Sequence, residues 1–158
     1  MRSTALRDAL AEGSIALNEP LADREAAVRR SGDLLVAGGQ VDPDYTAAML
    51  AALEEFGPYI VLAPGVALAH ARPTPAVHGV AFSVLTLDPP VAFGHPDNDP
   101  VRLVIGMAAP DDESHIEALR QLAELLGDDT RRDRLMTAGT AQDVLALIGP
   151  QTAREATT

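Results

Sequence analysis

The chain has 158 residues and a mass of 16.6 kDa, is 47% hydrophobic, and carries only 3% aromatics. That is enough apolar chain for one folded domain whose core is built from Ala, Val, Leu and Ile. A formal charge of −11 speaks against nucleic acid, whose phosphates call for Lys and Arg, and the lack of cysteine excludes disulfides, thiolate zinc sites and cysteine nucleophiles.

Residues Met1 to Asp8 lack a long apolar run, so no secretory signal is expected. No segment reaches the roughly 18 apolar residues of a membrane span. A cytoplasmic protein is expected, with ends that fit a stand-alone subunit. Arg2 to Ala11 reads as a short helix, broken at Glu12-Gly13, and Ser14 to Asn18 as a short strand. From Asp23, the residues Ala26, Ala27, Leu34 and Leu35 recur at helical spacing until Gly38-Gly39, an expected C-terminal stop. Asp42-Pro43-Asp44 restarts a helix: an acidic cap, a proline near the first turn, and Tyr45, Met49, Ala52 and Leu53 on one face. Gly57-Pro58 closes it.

The centre changes character. Tyr59 to Leu62, Val80 to Leu87 and Val101 to Ala108 are Val/Ile/Leu-rich runs bounded by Gly, Pro and Asp, which predicts strands. The segments between them hold Pro73, Pro75, Pro89, Pro90, Pro96 and Pro100 and are expected to be turns and loops. Asp112 to Leu126 is an amphipathic helix with Ile116, Leu119, Leu122, Ala123 and Leu126 at helical intervals. Shorter helices follow at Thr130 to Ala138 and Ala141 to Leu147. Residues 1–150 form one expected domain, with Gln151 to Thr158 a frayed tail. Helices on both sides of a run of strands predict an α/β sandwich.

The chemistry concentrates on two histidines. His70 lies between Pro64-Gly65 and Pro73, a constrained strand-end segment. A neutral imidazole near pH 7 is a competent nucleophile; a core-packed histidine bonded to a backbone carbonyl is the alternative. Were residues 68 to 73 extended, Arg72 would point to the same face, ready to offset phosphate charge. Its plainer use is an exposed ion pair. His115 and Ser114 open the Asp112 helix, capped by Asp111 or Asp112, and a helix N-terminus attracts anions. The two acids weaken that attraction, and a solvent-facing His115 is the simpler reading.

Gly94 to Pro100 alternates Asp and Asn but lacks the central glycine and distal glutamate of a calcium loop, so it reads as a turn. His70, His78, His95 and His115 include no pair at i, i+4 spacing, and no metal is expected. No phosphate-binding glycine loop or nucleophile elbow occurs, so no cofactor is expected. If His70 takes a phosphoryl group, the donor is another protein.

The stretch from Gly57 to Pro73, with Gly57-Pro58-Tyr59 and Ala69-His70-Ala71-Arg72-Pro73, resembles the active-site segment of enzyme IIA (EIIA) components of the bacterial phosphoenolpyruvate-dependent sugar phosphotransferase system. The likeness is to the fructose/mannitol (type 2) superfamily, most of all to its ascorbate-type branch. Phe93 to Val101, Ile105 to Ala109, Ser114 to Leu119 and Ala118 to Leu126 are similar to the same family, so the resemblance covers nearly the whole chain. It implies a mixed central sheet sandwiched by helices on both faces. It implies that phosphorylated HPr donates to His70, and that His70 passes the group to a cysteine of EIIB, which phosphorylates the sugar as the membrane component EIIC takes it up. His115 would orient or stabilise the phosphorylated His70. One departure stands out: mannitol-type members carry an arginine after the Met-Leu of the preceding helix, where this chain has Met49-Leu50-Ala51-Ala52-Leu53. Arg72 is the candidate to replace it, with Ser114 a further candidate phosphate ligand. The alternative is a regulatory protein like the nitrogen-related IIA proteins, phosphorylated on His70 but signalling by binding. A binding module that lost phosphorylation is disfavoured by the joint presence of His70 and His115.

Overall fold

The centre of the chain is apolar enough to be covered on both sides, and it becomes the interior of a sheet. The computed structural model describes residues 8–148. In chain order they form β1 (Leu10–Glu19), α1 (Arg24–Ala37), α2 (Asp44–Phe56), a 3-10 turn (Gly57–Ile60), β2 (Val61–Ala63), β3 (Val66–His70), β4 (Ala81–Val91), β5 (Val101–Ala108), α3 (Asp112–Leu126), α4 (Asp129–Thr137) and α5 (Ala141–Ile148). The sheet order is β1-β4-β5-β3-β2. β1 meets β4 and β3 meets β5 in parallel, whereas β4–β5 and β2–β3 are antiparallel.

Alternation along the strands divides the core in two. Ala67, Ala69, Leu85 and Val104 face α1 and α2, where they pack with Leu35, Tyr45, Met49 and Leu53. Val66, Leu68, Phe82, Ile105 and Met107 face α3, α4 and α5, against Ala118, Leu122, Leu135 and Val144. This is the expected mixed sheet with helices on both faces. β3, β4 and β5 are buried over most of their length, which is why they read as unbroken apolar runs.

Helix ends follow local chemistry. Asp23 caps α1 by accepting the Ala26 N–H, and Asp111 caps α3 by accepting the Ser114 N–H. α2 departs from expectation: Pro43 occupies the cap without a side-chain bond, and the Asp42 carboxylate pairs with His78 at 3.0 Å instead.

Three strand boundaries also differ. Residues 2–7 of the expected first helix lie outside the described residues, but its end does not: Leu10 and Ala11 belong to β1. There Leu10 pairs with Phe82 and the Phe82 N–H bonds the Ala9 carbonyl, so sheet pairing overrides helical propensity. Tyr59 and Ile60 sit in the 3-10 turn, because Pro58 fixes φ there, and β2 starts only at Val61. β4 runs on through Pro89 and Pro90 to Val91. A register shift between Thr86 and Val91 lets both prolines stand exposed without owing the ladder an N–H. Thr130 to Ala138 and Ala141 to Leu147 match α4 and α5 within a residue, and the expected tail from Gln151 lies outside the described residues.

Candidate functional site

Pro64-Gly65 makes the turn between β2 and β3, with Gly65 at φ 77°, a conformation that favours glycine. The Gly65 carbonyl accepts the N–H groups of Arg102 and Leu103, and its own N–H bonds the Asn98 carbonyl. β3 is thereby fixed at its start. It ends at His70, which pairs with Met107 of β5. His70 shares the parity of Val66 and Leu68, so its ring leaves the sheet on the α3 side.

There it meets His115. The two ring centroids are 5.5 Å apart with planes inclined at 47°. Both residues are half-buried, so His115 is not the solvent-facing histidine of the simpler reading. Nδ1 of His70 is buried without a hydrogen-bond partner among the described residues. If this ring reacts, Nε2 must be the reacting nitrogen. Burial pushes the His70 pKa below the ordinary value, the Leu68 carbonyl partly offsets this without a well-formed hydrogen bond to Nδ1, and His115 lowers it further. Burial and His115 both favour the neutral ring near pH 7.

Both rings open into a pocket of about 440 Å³. Ala48, Ala51, Ala52, Glu55 and Phe56 form its α2 wall, and Ala71, Arg72 and Thr74 continue it beyond β3. The α2 residues fall at helical spacing on one stripe, beside the buried stripe of Tyr45, Met49 and Leu53. Ala51 and Ala52 thus bring no charge to the wall. Arg72 is exposed and makes no ion pair among the described residues. Glu55, which periodicity did not single out, sets a carboxylate in the same pocket.

Ser114 is placed differently. Its hydroxyl donates to Asp111, 2.9 Å from the carboxylate and 3.2 Å from the carbonyl, and its N–H bonds the same carboxylate. It does not line the pocket. The helix N-terminus is thus already filled by the chain's own anion.

One contributor was missed by sequence reasoning. The Tyr45 hydroxyl accepts the Ala71 N–H at 2.9 Å and lies 3.0 Å from both the Ala71 and the Met107 carbonyls, between which it shares its one proton. Burial pushes its pKa up to about 12. Helical periodicity marks Tyr45 only as part of an apolar face; its polar end has no sequence signal.

The other histidines stand apart. His78 pairs with Asp42, and His95 Nδ1 accepts the N–H groups of Asp97 and Asn98 within its own turn. Asp99 caps that turn by accepting from Phe93 and Gly94. No cluster of three or more His, Asp or Glu with metal-binding geometry occurs among the described residues, and no described helix is long and apolar enough to cross a membrane.

Comparison with known proteins adds identity to this geometry. Residues 8–149 match the profile of the family described as phosphoenolpyruvate-dependent sugar phosphotransferase system, EIIA 2. The chain is 46% identical, over 145 residues, to the ascorbate-specific phosphotransferase EIIA component of Escherichia coli K12, an alignment covering 90% of this chain and 94% of that one. Among solved structures it is similar to the mannitol-specific cryptic enzyme IIA CmtB of Escherichia coli, with a TM-score of 0.82 and 32% identity over 93% of this chain and 99% of that one. It is also similar to the Escherichia coli mannitol enzyme IIA solved in complex with phosphorylated enzyme IIB, with a TM-score of 0.76 and 33% identity over 89% of this chain and 96% of that one.

Proposed function

The chain belongs to the EIIA 2 family of the phosphoenolpyruvate-dependent sugar phosphotransferase system, and from that membership we propose that it carries the phosphoryl group of a sugar-uptake relay on Nε2 of His70. The donor is phosphorylated HPr, the acceptor a cysteine of the cognate EIIB, and the membrane component EIIC is served indirectly, from the cytoplasmic side. The 46% identity to the ascorbate-specific component favours an ascorbate-type system. One observation carries the assignment of the acceptor: a half-buried imidazole, sealed at Nδ1 and held neutral, opens through its other nitrogen into a pocket shared with a second imidazole.

The chemistry balances without a cofactor. The Nε2 lone pair attacks phosphorus and a new N–P bond forms as the donor's N–P bond breaks, returning its electron pair to the donor imidazole. Nδ1 of His70 keeps its proton. A thiolate on EIIB then attacks the same phosphorus, and the pair returns to Nε2. Such transfers are accelerated mainly by positioning and by charge stabilisation. His115, 5.5 Å from His70 centre to centre, stabilises the phosphorylated ring by donating to the phosphoryl oxygens. Arg72, on the pocket wall and without an ion pair among the described residues, is the cation available to offset their charge. Ser114 has its hydroxyl proton spent on Asp111 and has no part in this scheme.

Intact mass measured after incubation with phosphoenolpyruvate, enzyme I and HPr tests the assignment. One acid-labile phosphoryl group is expected in wild type and none in His70→Ala. No gain in wild type, with a working control, would sink it. Adding EIIB separates the two uses of a phosphorylated His70: transfer to its cysteine is expected, whereas a purely regulatory protein would keep the group.

A further inference from the structure

The hydroxyl of Tyr45 sits between two strand ends, and we propose that Tyr45 is a positioning residue for His70, acting through the backbone at Ala71 and Met107. This rests on His70 being the phosphoryl acceptor.

β3 and β5 pair in register from Val66↔Leu103 to His70↔Met107 and no further. At that last pair a single oxygen from α2 takes over. It accepts the N–H of Ala71, the residue after His70, and donates toward the carbonyl of Met107, the residue opposite His70. A third contact, to the Ala71 carbonyl, reaches the next peptide, between Ala71 and Arg72. The site is 1% exposed at Tyr45 and 8% at Ala71, so water does not replace these bonds. An interior N–H or C=O left unpaired is costly, so the three contacts together define where β3 stops and the chain turns toward Arg72.

His70 needs such support because its own ring receives little. Among the described residues Nδ1 has no hydrogen-bond partner, and its ring contact is to another histidine. The ring's direction is therefore inherited from its backbone. Phosphoryl transfer is sensitive to sub-ångström placement of the attacking nitrogen, and a misplacement of about 1 Å costs up to about a hundredfold. The hydroxyl also stays protonated at any physiological pH, since burial lifts its pKa to about 12.

Tyr45→Phe keeps the ring and removes only the oxygen. The expected result is a single-turnover rate of transfer from phosphorylated HPr that falls about tenfold or more, with the HPr concentration for half-maximal rate unchanged. The His70 titration followed by NMR is expected to move up as the strand end loosens and water reaches the ring. Leu53→Ala, which weakens the same helix from its buried face, serves as the control for lost stability alone. A Tyr45→Phe rate and titration equal to wild type would overturn the proposal, as would an equal slowing in Leu53→Ala while both variants remain folded. In the wild type, the Ala71 amide is expected among the slowly exchanging ones. Exchange as fast as at exposed Arg72 would overturn the proposal independently of any variant. If wild type takes no phosphoryl group on His70, it is the acceptor assignment that fails, and this failure is separate from a normal rate in Tyr45→Phe.

Discussion

For His70 the decisive quantity is the proton it does not hold. Burial, helped by His115, keeps its folded-state pKa below the ordinary histidine value of about 6.5. In the unfolded chain the same ring binds its proton more readily, so this group's contribution to stability is complete above pH 6.5 and declines as pH falls through the depressed folded value. Phosphoryl acceptance follows the same sign: it is expected to be flat near neutrality and to drop only below pH 6.5, which a pH series of single-turnover rates would check. His115→Ala removes the smaller of the two lowering influences and opens the ring to water. A His70 pKa closer to 6.5 by NMR, with transfer slowed by about 10²-fold or less, is expected; an unchanged titration would mean that the rings do not sense each other. Arg72→Ala is expected to slow transfer without altering the melting temperature, because the guanidinium makes no ion pair among the described residues. His70, His115 and Arg72 could be named from the sequence, since Pro64-Gly65 and Pro73 already framed His70, but the pocket's Glu55 could not. Ser114 and Tyr45 were not. Whether a hydroxyl serves a cap or a site depends on which atoms the fold puts beside it.

Among the elements, α2 does two jobs with interleaved stripes. Tyr45, Met49 and Leu53 face the core, while Ala48, Ala51, Ala52 and Glu55 face the pocket. Spacing merged part of the two, assigning Ala52 to the buried face, because alanine is apolar in either setting. Asp112 to Leu126 was read to the residue as α3, where cap, charge and periodicity agree. β3 escaped naming as a strand because it is only five residues long and abuts a proline-glycine turn. β5 depends on Gly106, a position no periodicity explains. A Cβ there would lie 2.1 Å from Ser83 Oγ and 2.5 Å from Ser31 Oγ, two buried hydroxyls bonded to each other. Gly106→Ala is expected to destabilise the fold by about 1–3 kcal/mol, read as a lower urea midpoint with an unchanged slope. A midpoint equal to wild type would show that α1 can shift away from the sheet at little cost.

Over the whole molecule, the site lies where both helical layers reach the same end of the sheet. α2 brings its wall from one side, and α3 brings His115 from the other. Large apolar side chains stand exposed near these elements: Phe56 at the end of α2, Tyr59 and Leu62 just after it, and Ile116 beside His115. Exposed apolar side chains on the elements that carry the pocket suit a protein partner better than a small molecule. Ile116→Lys is expected to raise the HPr concentration for half-maximal transfer about tenfold, the effect of losing about 1.4 kcal/mol of contact, with the maximal rate and melting temperature unchanged. An unaltered concentration dependence would place the donor elsewhere on the surface.

The parallel seam between β1 and β4 has a consequence for assembly in time. Leu10 meets Phe82 and Ile15 meets Val84, with register shifts along the way. The antiparallel β4–β5 pair needs only a short loop to close, whereas β1 must wait until the chain as far as β4 is available and must then find its register across that distance. Loop-closure entropy makes such a seam late to form, and parallel pairing at an edge is weaker per residue. β1 is therefore expected to be among the last strands to join. Native-state hydrogen exchange is expected to release its amides at lower free energy than those of β3 and β5, so His70, at the end of β3 and paired with Met107 of β5, is expected to keep its place while the β1 edge opens and closes.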